Sequence, residues 1–245
     1  EKGQLSVNKS IVVCNEGVNT NVYRKLKYEE LSENIKQMKF ESDFNFLHVG
    51  QWGNGSFGED RKNISNLLKY FIESFSGRKD VGLILKTNTA KNSLIDQRNV
   101  LNRIDDVKRK YNEKDLPPIY LMHGYMTDHE LASLYNHPKV KAFISITHGE
   151  GFGLPLLDAA ACGLPILATN WSGHLDFLKD GKFIPIKHAM KEIPDAAVWG
   201  DILIKGSRWA EVDETDTKQR MQKIVEKSYK PNEWAKELAA DVKDN

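Results

Sequence analysis

The 245-residue sequence predicts an α/β fold in which a doubly wound parallel sheet is followed by a C-terminal helical layer. Short runs rich in β-branched and aromatic residues alternate with longer amphipathic runs, which is typical of strands and helices that follow each other in turn. Strands connected in this way pair in parallel through right-handed crossovers. Their carboxyl ends therefore meet at one edge of the sheet, where we expect a ligand to bind.

The predicted elements follow from this alternation. The strands are short apolar runs at residues 11–14, 44–49, 81–85, 119–122, 142–146, 165–168 and 183–185. The helices show apolar residues at helical spacing at 63–75, 92–111, 128–135, 154–162 and 172–178, with two or three more between 196 and 242. We interpret residues 1–43 as a lead-in segment or interdomain hinge, 44–210 as the sheet domain and 211–245 as C-terminal helices.

The composition excludes several classes of protein. The 35 basic residues are balanced by 34 acidic ones, which argues against a nucleic acid as the partner. Cys14 and Cys162 lie far apart, without a second thiol or a histidine at ligand spacing, so we expect a reducing compartment and no metal site. No apolar run approaches the roughly 18 residues of a membrane span.

A glycine-rich turn between a predicted strand and a predicted helix carries the clearest functional signal. In the segment His148-Gly-Glu-Gly-Phe-Gly-Leu-Pro-Leu-Leu-Asp158, glycines let the backbone approach a ligand and the amides at the helix start attract an anion. Glu150 lies in the turn, and Asp158 follows on the helix face that also carries Leu154. Two carboxylates beside such a turn suggest polyol recognition, although a helix cap and a solvated aspartate explain the same residues.

Five motifs occur in order along the chain. They are Phe46-Leu-His-Val-Gly-Gln-Trp, Arg61-Lys-Asn, His123-Gly-Tyr-Met-Thr-Asp-His-Glu-Leu-Ala-Ser-Leu-Tyr135, Glu150-Gly-Phe-Gly-Leu-Pro-Leu-Leu-Asp-Ala-Ala-Ala-Cys-Gly-Leu-Pro165 and Thr169-Asn-Trp-Ser-Gly-His-Leu-Asp176. Together they resemble the C-terminal domain of the retaining glycosyltransferases of family four (glycosyl transferases group 1). The segment Asn15-Glu-Gly-Val-Asn19 resembles the hinge of that family. The resemblance implies one Rossmann-like half of a two-domain GT-B enzyme.

The resemblance also implies a site for a UDP- or GDP-sugar. Glu150 would contact the donor sugar, and Lys62 would neutralise the diphosphate leaving group. The other residues that it places at the donor are Gly50, Gln51, Tyr125, Met126, Gly151, Phe152, Gly153, Leu154 and Asp158. Asp158 stands where the family usually has a glutamate for the ribose, and Gln51 stands where it often has an arginine, so one positive charge is missing.

The mechanism implied by the resemblance is transfer of a hexose with retention, by attack on the face that the diphosphate leaves. Lys62 and helix-end amides would stabilise the departing diphosphate without a metal or a cofactor, and Glu150 would position the sugar. The acceptor, a hydroxyl of a glycan, lipid or protein, would bind an N-terminal domain that this chain lacks. We expect a cytoplasmic protein, or one held at a membrane by the missing domain, and weak donor binding with little transfer by this chain alone.

Other interpretations compete with this one. Gly53-Asn-Gly-Ser-Phe-Gly58 imitates a dinucleotide-binding turn, but the next strand ends in Lys86 where a ribose-binding acid is needed. His148-x-Glu150 begins a zinc deaminase signature whose Pro-Cys-x-x-Cys part is absent. A GT-B nucleotide-sugar epimerase is disfavoured by the Glu150-Gly-Phe-Gly motif. A non-catalytic nucleotide-sugar-binding or interaction module stays open, because Gln51 and Asp158 replace the usual residues.

Tryptophans have two possible roles in such a protein. Trp52, Trp171 and Trp209 could stack on sugars, or they could be packing anchors inside the domain. The sequence alone favours neither role.

Overall fold

The computed structural model describes residues 9–10, 12, 14–53, 57–178, 182–200 and 202–244. One parallel sheet contains strands β1 (Phe44–Val49), β2 (Val81–Lys86), β3 (Ile119–Met122), β4 (Val140–Ser145), β5 (Ile166–Thr169) and β6 (Ile184–Ile186). The strand order is β3-β2-β1-β4-β5-β6, which confirms the predicted doubly wound, Rossmann-like sheet. The order reverses between β1 and β4. In folds of this kind the ligand crevice lies outside the carboxyl ends of the two strands at the reversal.

The helices surround this sheet. They are α1 (Glu33–Lys36), α2 (Ile64–Ser74), α3 (Leu94–Lys108), α4 (Asp128–Tyr135), α5 (Leu154–Ala161), α6 (Leu175–Leu178), α7 (Glu214–Glu226) and α8 (Tyr229–Asp244). Side-chain caps set some of their starts: Ser93 accepts the amide of Asp96 at the start of α3, and Thr127 and Glu130 form a capping box at the start of α4. No helix among the residues described is both long and apolar enough to cross a membrane.

Two apolar layers, one on each face of the sheet, form the core. Successive side chains of a strand point to opposite faces, so Phe46 packs in the layer under α2, α3 and α7, while its neighbour Leu47 packs in the layer under α4, α5 and α8. Both side chains are fully buried. The central strands are therefore mostly apolar on both faces, as the apolar runs in the sequence predict.

The segment before β1 packs on the domain as well. Tyr23, Leu26 and Ile35 join the layer under α4, and the amide of Leu26 donates to Asn136 Oδ1 at 3.0 Å. Of the strand predicted at 11–14, residues 11 and 13 lie outside the described residues, and Val12 and Cys14 belong to no strand. That part of the prediction is therefore not supported at the two positions the structure describes.

The structure adds a strand pair that the sequence did not predict. Of the two or three helices expected between 196 and 242, two are present as α7 and α8. Before them β7 (His188–Glu192) and β8 (Arg208–Val212) pair antiparallel. The loop between these strands, which we call the β7–β8 loop (193–207), has a small core of its own around Ile193, Ala197 and Trp209. Because β7 follows directly from β6, this hairpin stands at the carboxyl edge of the sheet.

Candidate functional site

Glu150 and Lys62 form a buried ion pair at the reversal of the sheet. Glu150 lies on the loop after β4, and Lys62 lies on the loop that leads from β1 to α2. Lys62 Nζ is 2.6 Å from Glu150 Oε1, and Arg61 Nη1 is 3.0 Å from Glu150 Oε2. The side chains of Glu150 and Lys62 are only 6% and 12% exposed. The pair therefore ties together the two loops that flank the expected ligand crevice.

The charges of this cluster depend on each other. Burial raises the pKa of Glu150, but the positive charges of Lys62 and Arg61 outweigh it and hold that pKa below its usual value. Burial also lowers the pKa of Lys62, and the charge of Glu150 opposes that shift. A ligand that takes the place of Glu150 at Lys62 must therefore bring negative charge of its own, since an unpaired buried ammonium is costly.

The loop that carries Glu150 is braced from the next strand. Ser172 Oγ accepts the amide of Glu150 at 2.6 Å and donates to its carbonyl at 2.8 Å. A Cβ on Gly173 would lie 1.8 Å from the carbonyl oxygen of Gly151, so only glycine fits there. Gly153 has a φ of 97°, in the left-handed region that glycine adopts without strain.

The start of α5 faces an open pocket. The amides of Phe152, Gly153 and Leu154 bond to no acceptor among the described residues, and Pro155 occupies the first turn. Residues 150–155 line this pocket of about 500 Å³ together with Asp176. The predicted sugar-binding turn is therefore a concave surface with unused donors at a helix N-terminus, the kind of site that binds an anion or hydroxyls.

Four other residues predicted at the donor line a neighbouring pocket. Gly50, Gln51, Tyr125 and Met126 lie together around about 250 Å³ of space at the carboxyl ends of β1, β2 and β3. Lys86, which the sequence analysis did not assign to the donor, lines the same pocket and donates to the carbonyl of Gly124. The structure thus brings the predicted donor residues other than Asp158 to one edge of the sheet, in two groups, and Asp158 lines neither of the two pockets.

Asp158 has a different environment from Glu150. It lies on α5, where burial, reinforced by the negative charge of Asp128, raises its pKa from the usual 3.8 to about 7. Burial of Tyr23 and the negative charges of Asp158 and Asp128 raise the pKa of Tyr23. The Tyr23 hydroxyl is 3.3 Å from Asp128 Oδ1. At neutral pH the Asp158 carboxyl is therefore partly protonated and able to donate a hydrogen bond as well as accept one.

Two of the three tryptophans that the sequence singled out are packing anchors. Trp52 is fully buried. Trp209 stacks on the ring of His148 at 4.0 Å between centroids. His148 Nδ1 lies 2.7 Å from the carbonyl oxygen of Ala210. Trp171, in contrast, is 41% exposed beside the Glu150 loop. The glycine turn at 53–58 is only partly described, because residues 54–56 lie outside the described residues.

Two residues of this cluster were not predicted from the sequence. Arg61 precedes the predicted Lys62 and supplies the second positive charge on Glu150. In the sequence, Ser172 is only one residue of a polar turn. Its φ of 84° is known only from the structure. Both residues shape the position of Glu150.

Comparison with known proteins identifies the family. Residues 59–197, more than half of the chain, match the family described as Glycosyl transferases group 1. The chain belongs to this family. The Arg61–Lys62 segment and the Glu150 turn both lie inside the matched residues.

Two sequence relatives match shorter stretches. A probable sucrose-phosphate synthase of Thermosipho melanesiensis is 31% identical over 103 residues, 41% of this chain and 20% of that protein. The O-antigen chain mannosyltransferase B of Escherichia coli is 40% identical over 47 residues, 19% of this chain and 12% of that protein. The matched part therefore spans a fifth or less of each relative.

Solved structures of group 1 and related glycosyltransferases share the fold. The C-terminal domain of a group 1 protein from Francisella tularensis superimposes with a TM-score of 0.60 at 14% identity, over 92% of this chain and 96% of that one. Anabaena HepE in complex with UDP and glucose superimposes with a TM-score of 0.62 at 15% identity, over 93% of this chain and 51% of that one. A glycosyltransferase from Rickettsia africae superimposes with a TM-score of 0.64 at 14% identity, over 96% of this chain and 52% of that one. The chain thus spans about half the length of the two longer structures.

We expect Asp158→Asn to stabilise the protein in a pH-dependent way. Because burial raises the pKa of Asp158 from 3.8 to about 7, the folded chain holds a proton in this window that the unfolded chain releases, and stability falls as pH rises through it. The difference between the free energies of unfolding of the variant and the parent should be near zero below about pH 4 and largest above about pH 7. Urea unfolding at several pH values measures it.

The exposed Asp105 on α3 offers a matched control. Asp105→Asn should show no such growth of the stability difference with pH. A constant difference for Asp158→Asn across the range would contradict the raised pKa.

Proposed function

We propose that this chain binds the nucleotide diphosphate sugar of a retaining hexosyltransferase, with a UDP- or GDP-sugar as donor. The observation that supports this most is the buried Lys62–Glu150 pair beside the unused amides of α5. Positive charge, a carboxylate and backbone donors stand within one crevice at the reversal of the sheet. A sugar diphosphate needs all three.

The diphosphate is assigned to Lys62 and the N-terminus of α5. When the bond between sugar and phosphate breaks, negative charge grows on the departing diphosphate, and a lysine with helix-end amides stabilises it electrostatically. The family membership supports this chemistry, and the Anabaena structure, solved with UDP and glucose, supports a uridine donor. We expect no metal ion or cofactor to be needed for this step.

Glu150 is assigned to the sugar. Its carboxylate is held by two cations and a rigid backbone, so it is suited to accept hydrogen bonds from hydroxyls and to stabilise positive charge at the anomeric carbon. We give it a positioning and electrostatic role, with transfer on the face that the diphosphate leaves. The acceptor is a hydroxyl of a glycan, lipid or protein, and a further domain of the whole protein would complete its site.

The nucleoside is assigned to the adjoining pocket. Gly50, Gln51, Tyr125 and Met126 line this pocket. In the proposed complex Tyr125 and Met126 would pack on the base, and Gln51 would lie near the diphosphate. Asp158, which lines neither pocket, would reach the ribose only from α5.

A binding module without turnover is the second candidate. Gln51 supplies no charge where an arginine is common, and it donates to the carbonyl of Thr89 at 2.7 Å. The partly neutral Asp158 is a second departure. Both would weaken donor binding or transfer without removing the site.

Calorimetric titration with UDP, GDP, UDP-glucose and GDP-mannose tests the proposal. We expect one nucleotide to be preferred, and Lys62→Met to raise its Kd at least about tenfold, which is about 1.4 kcal/mol. Lys69→Met is the matched control, because Lys69 lies on α2, the helix that follows Lys62, and is paired with Glu214 instead of Glu150; it should bind like the parent. Absence of binding to all four ligands, or equal binding by Lys62→Met, would overturn the assignment.

The variant Gln51→Arg tests whether Gln51 faces the diphosphate in a donor site that lacks one positive charge. An added guanidinium near the diphosphate should tighten binding of the preferred nucleotide about three- to tenfold, roughly 0.7–1.4 kcal/mol, at low salt. High salt should reduce this gain, because an exposed charge is screened. An unchanged affinity would mean that Gln51 does not face the diphosphate.

A further inference from the structure

A third cavity lies beside the proposed donor site, and two of the residues predicted from the sequence, Gln51 and Lys62, line it. It encloses about 440 Å³ between the loop after β1 and the β7–β8 loop. Gln51, Arg61 and Lys62 line one side, and Trp199 and Leu203 line the other. Cavities that hold small ligands commonly have 300–1,000 Å³ and combine aromatic walls with a few polar groups. This cavity has both properties.

The wall that carries Trp199 is a built structure. Trp199 and Leu203 form an antiparallel bridge with hydrogen bonds of 3.1 and 3.2 Å. Leu203 packs on the small core that contains Trp209, and Trp209 stacks on His148, two residues before Glu150. The indole of Trp199 is nevertheless 65% exposed. A large apolar ring is therefore displayed from a braced loop that is anchored next to the proposed reaction centre.

The charges around the cavity favour a neutral polar ligand. Arg61 and Lys62 are paired with Glu150, and Glu59 lines the cavity as well. The carboxylate of Glu150 thus already neutralises positive charge at Arg61 and Lys62. A cavity that bound only a phosphate would need unpaired positive charge. Gln51 and Arg61 supply amide and guanidinium donors for hydroxyls.

We infer that this cavity binds a pyranose unit of the acceptor saccharide, with the apolar face of the sugar on Trp199 and its hydroxyls toward Arg61 and Gln51. A sugar held here lies next to Lys62 and Glu150, where its hydroxyl can reach the donor. The inference rests on the proposed function, because Lys62 and Gln51 belong to the proposed donor site. It makes the β7–β8 loop a determinant of acceptor specificity within this chain.

Nuclear magnetic resonance of the chain labelled with ¹⁵N-tryptophan tests this. The sequence has five tryptophans, and the signal of Trp199 is assigned with Trp199→Phe. Methyl glucoside, methyl mannoside and methyl N-acetylglucosaminide are titrated in the presence of UDP. At least one should shift the Trp199 indole signal saturably. Because Trp199→Ala has no such signal, its Kd for the same glycoside is measured by calorimetric titration beside the parent, and it should be about tenfold higher or more.

Matched measurements separate this inference from the donor proposal. Ile202→Ala changes an exposed apolar residue of the same loop that does not line the cavity, and it should bind the sugar like the parent. The Kd of UDP should be equal in the parent and in Trp199→Ala. Weaker UDP binding by Trp199→Ala would make the cavity part of the donor site, and the absence of a saturable Trp199 shift would show that no sugar binds; either result overturns the inference. Failure of the donor proposal shows separately, as absent UDP binding by the parent.

Discussion

The carboxylate of Glu150, buried between Lys62 and Arg61, is the constraint on which this site depends. Removing charges from water is costly, and such a group persists only when its partners are well placed. Here the partners come from the loop after β1 and the carboxylate from the loop after β4, so the ion pairs bridge the point where the strand order reverses. The crevice of the domain is therefore defined by charge as well as by topology.

Two further elements hold the same loop. Ser172 and Gly173 support the backbone of Glu150 and Gly151 from the turn after β5, and Trp209 on β8 packs against the ring of His148. The turn that opens α5 is thus fixed from both sides before any ligand arrives. Binding sites that are fixed in this way lose little conformational entropy when they bind.

The sequence predicted the sheet because its strands are buried on both faces, which leaves uninterrupted apolar runs such as Val81–Leu85. It also paired Glu150 with Lys62 in one site, and the structure places them in contact. It could not predict β7, because three of its five residues are exposed and only Ala189 and Met190 are apolar. The exposure of Trp199 depends on how the β7–β8 loop folds around its own small core. The raised pKa of Asp158 depends on burial and on Asp128, which lies on a different helix.

A double-mutant cycle with Glu150→Gln and Lys62→Met, followed by urea unfolding, tests most directly whether this ion pair holds the two loops together. Glu150→Gln leaves Lys62 buried without its partner, so we expect a loss of about 3 kcal/mol in the free energy of unfolding. In the double variant both charges are gone, and its loss should be smaller than the sum of the single losses by about 1–3 kcal/mol. Losses that add within about 0.5 kcal/mol would contradict the account, because they would mean that the two side chains do not stabilise each other.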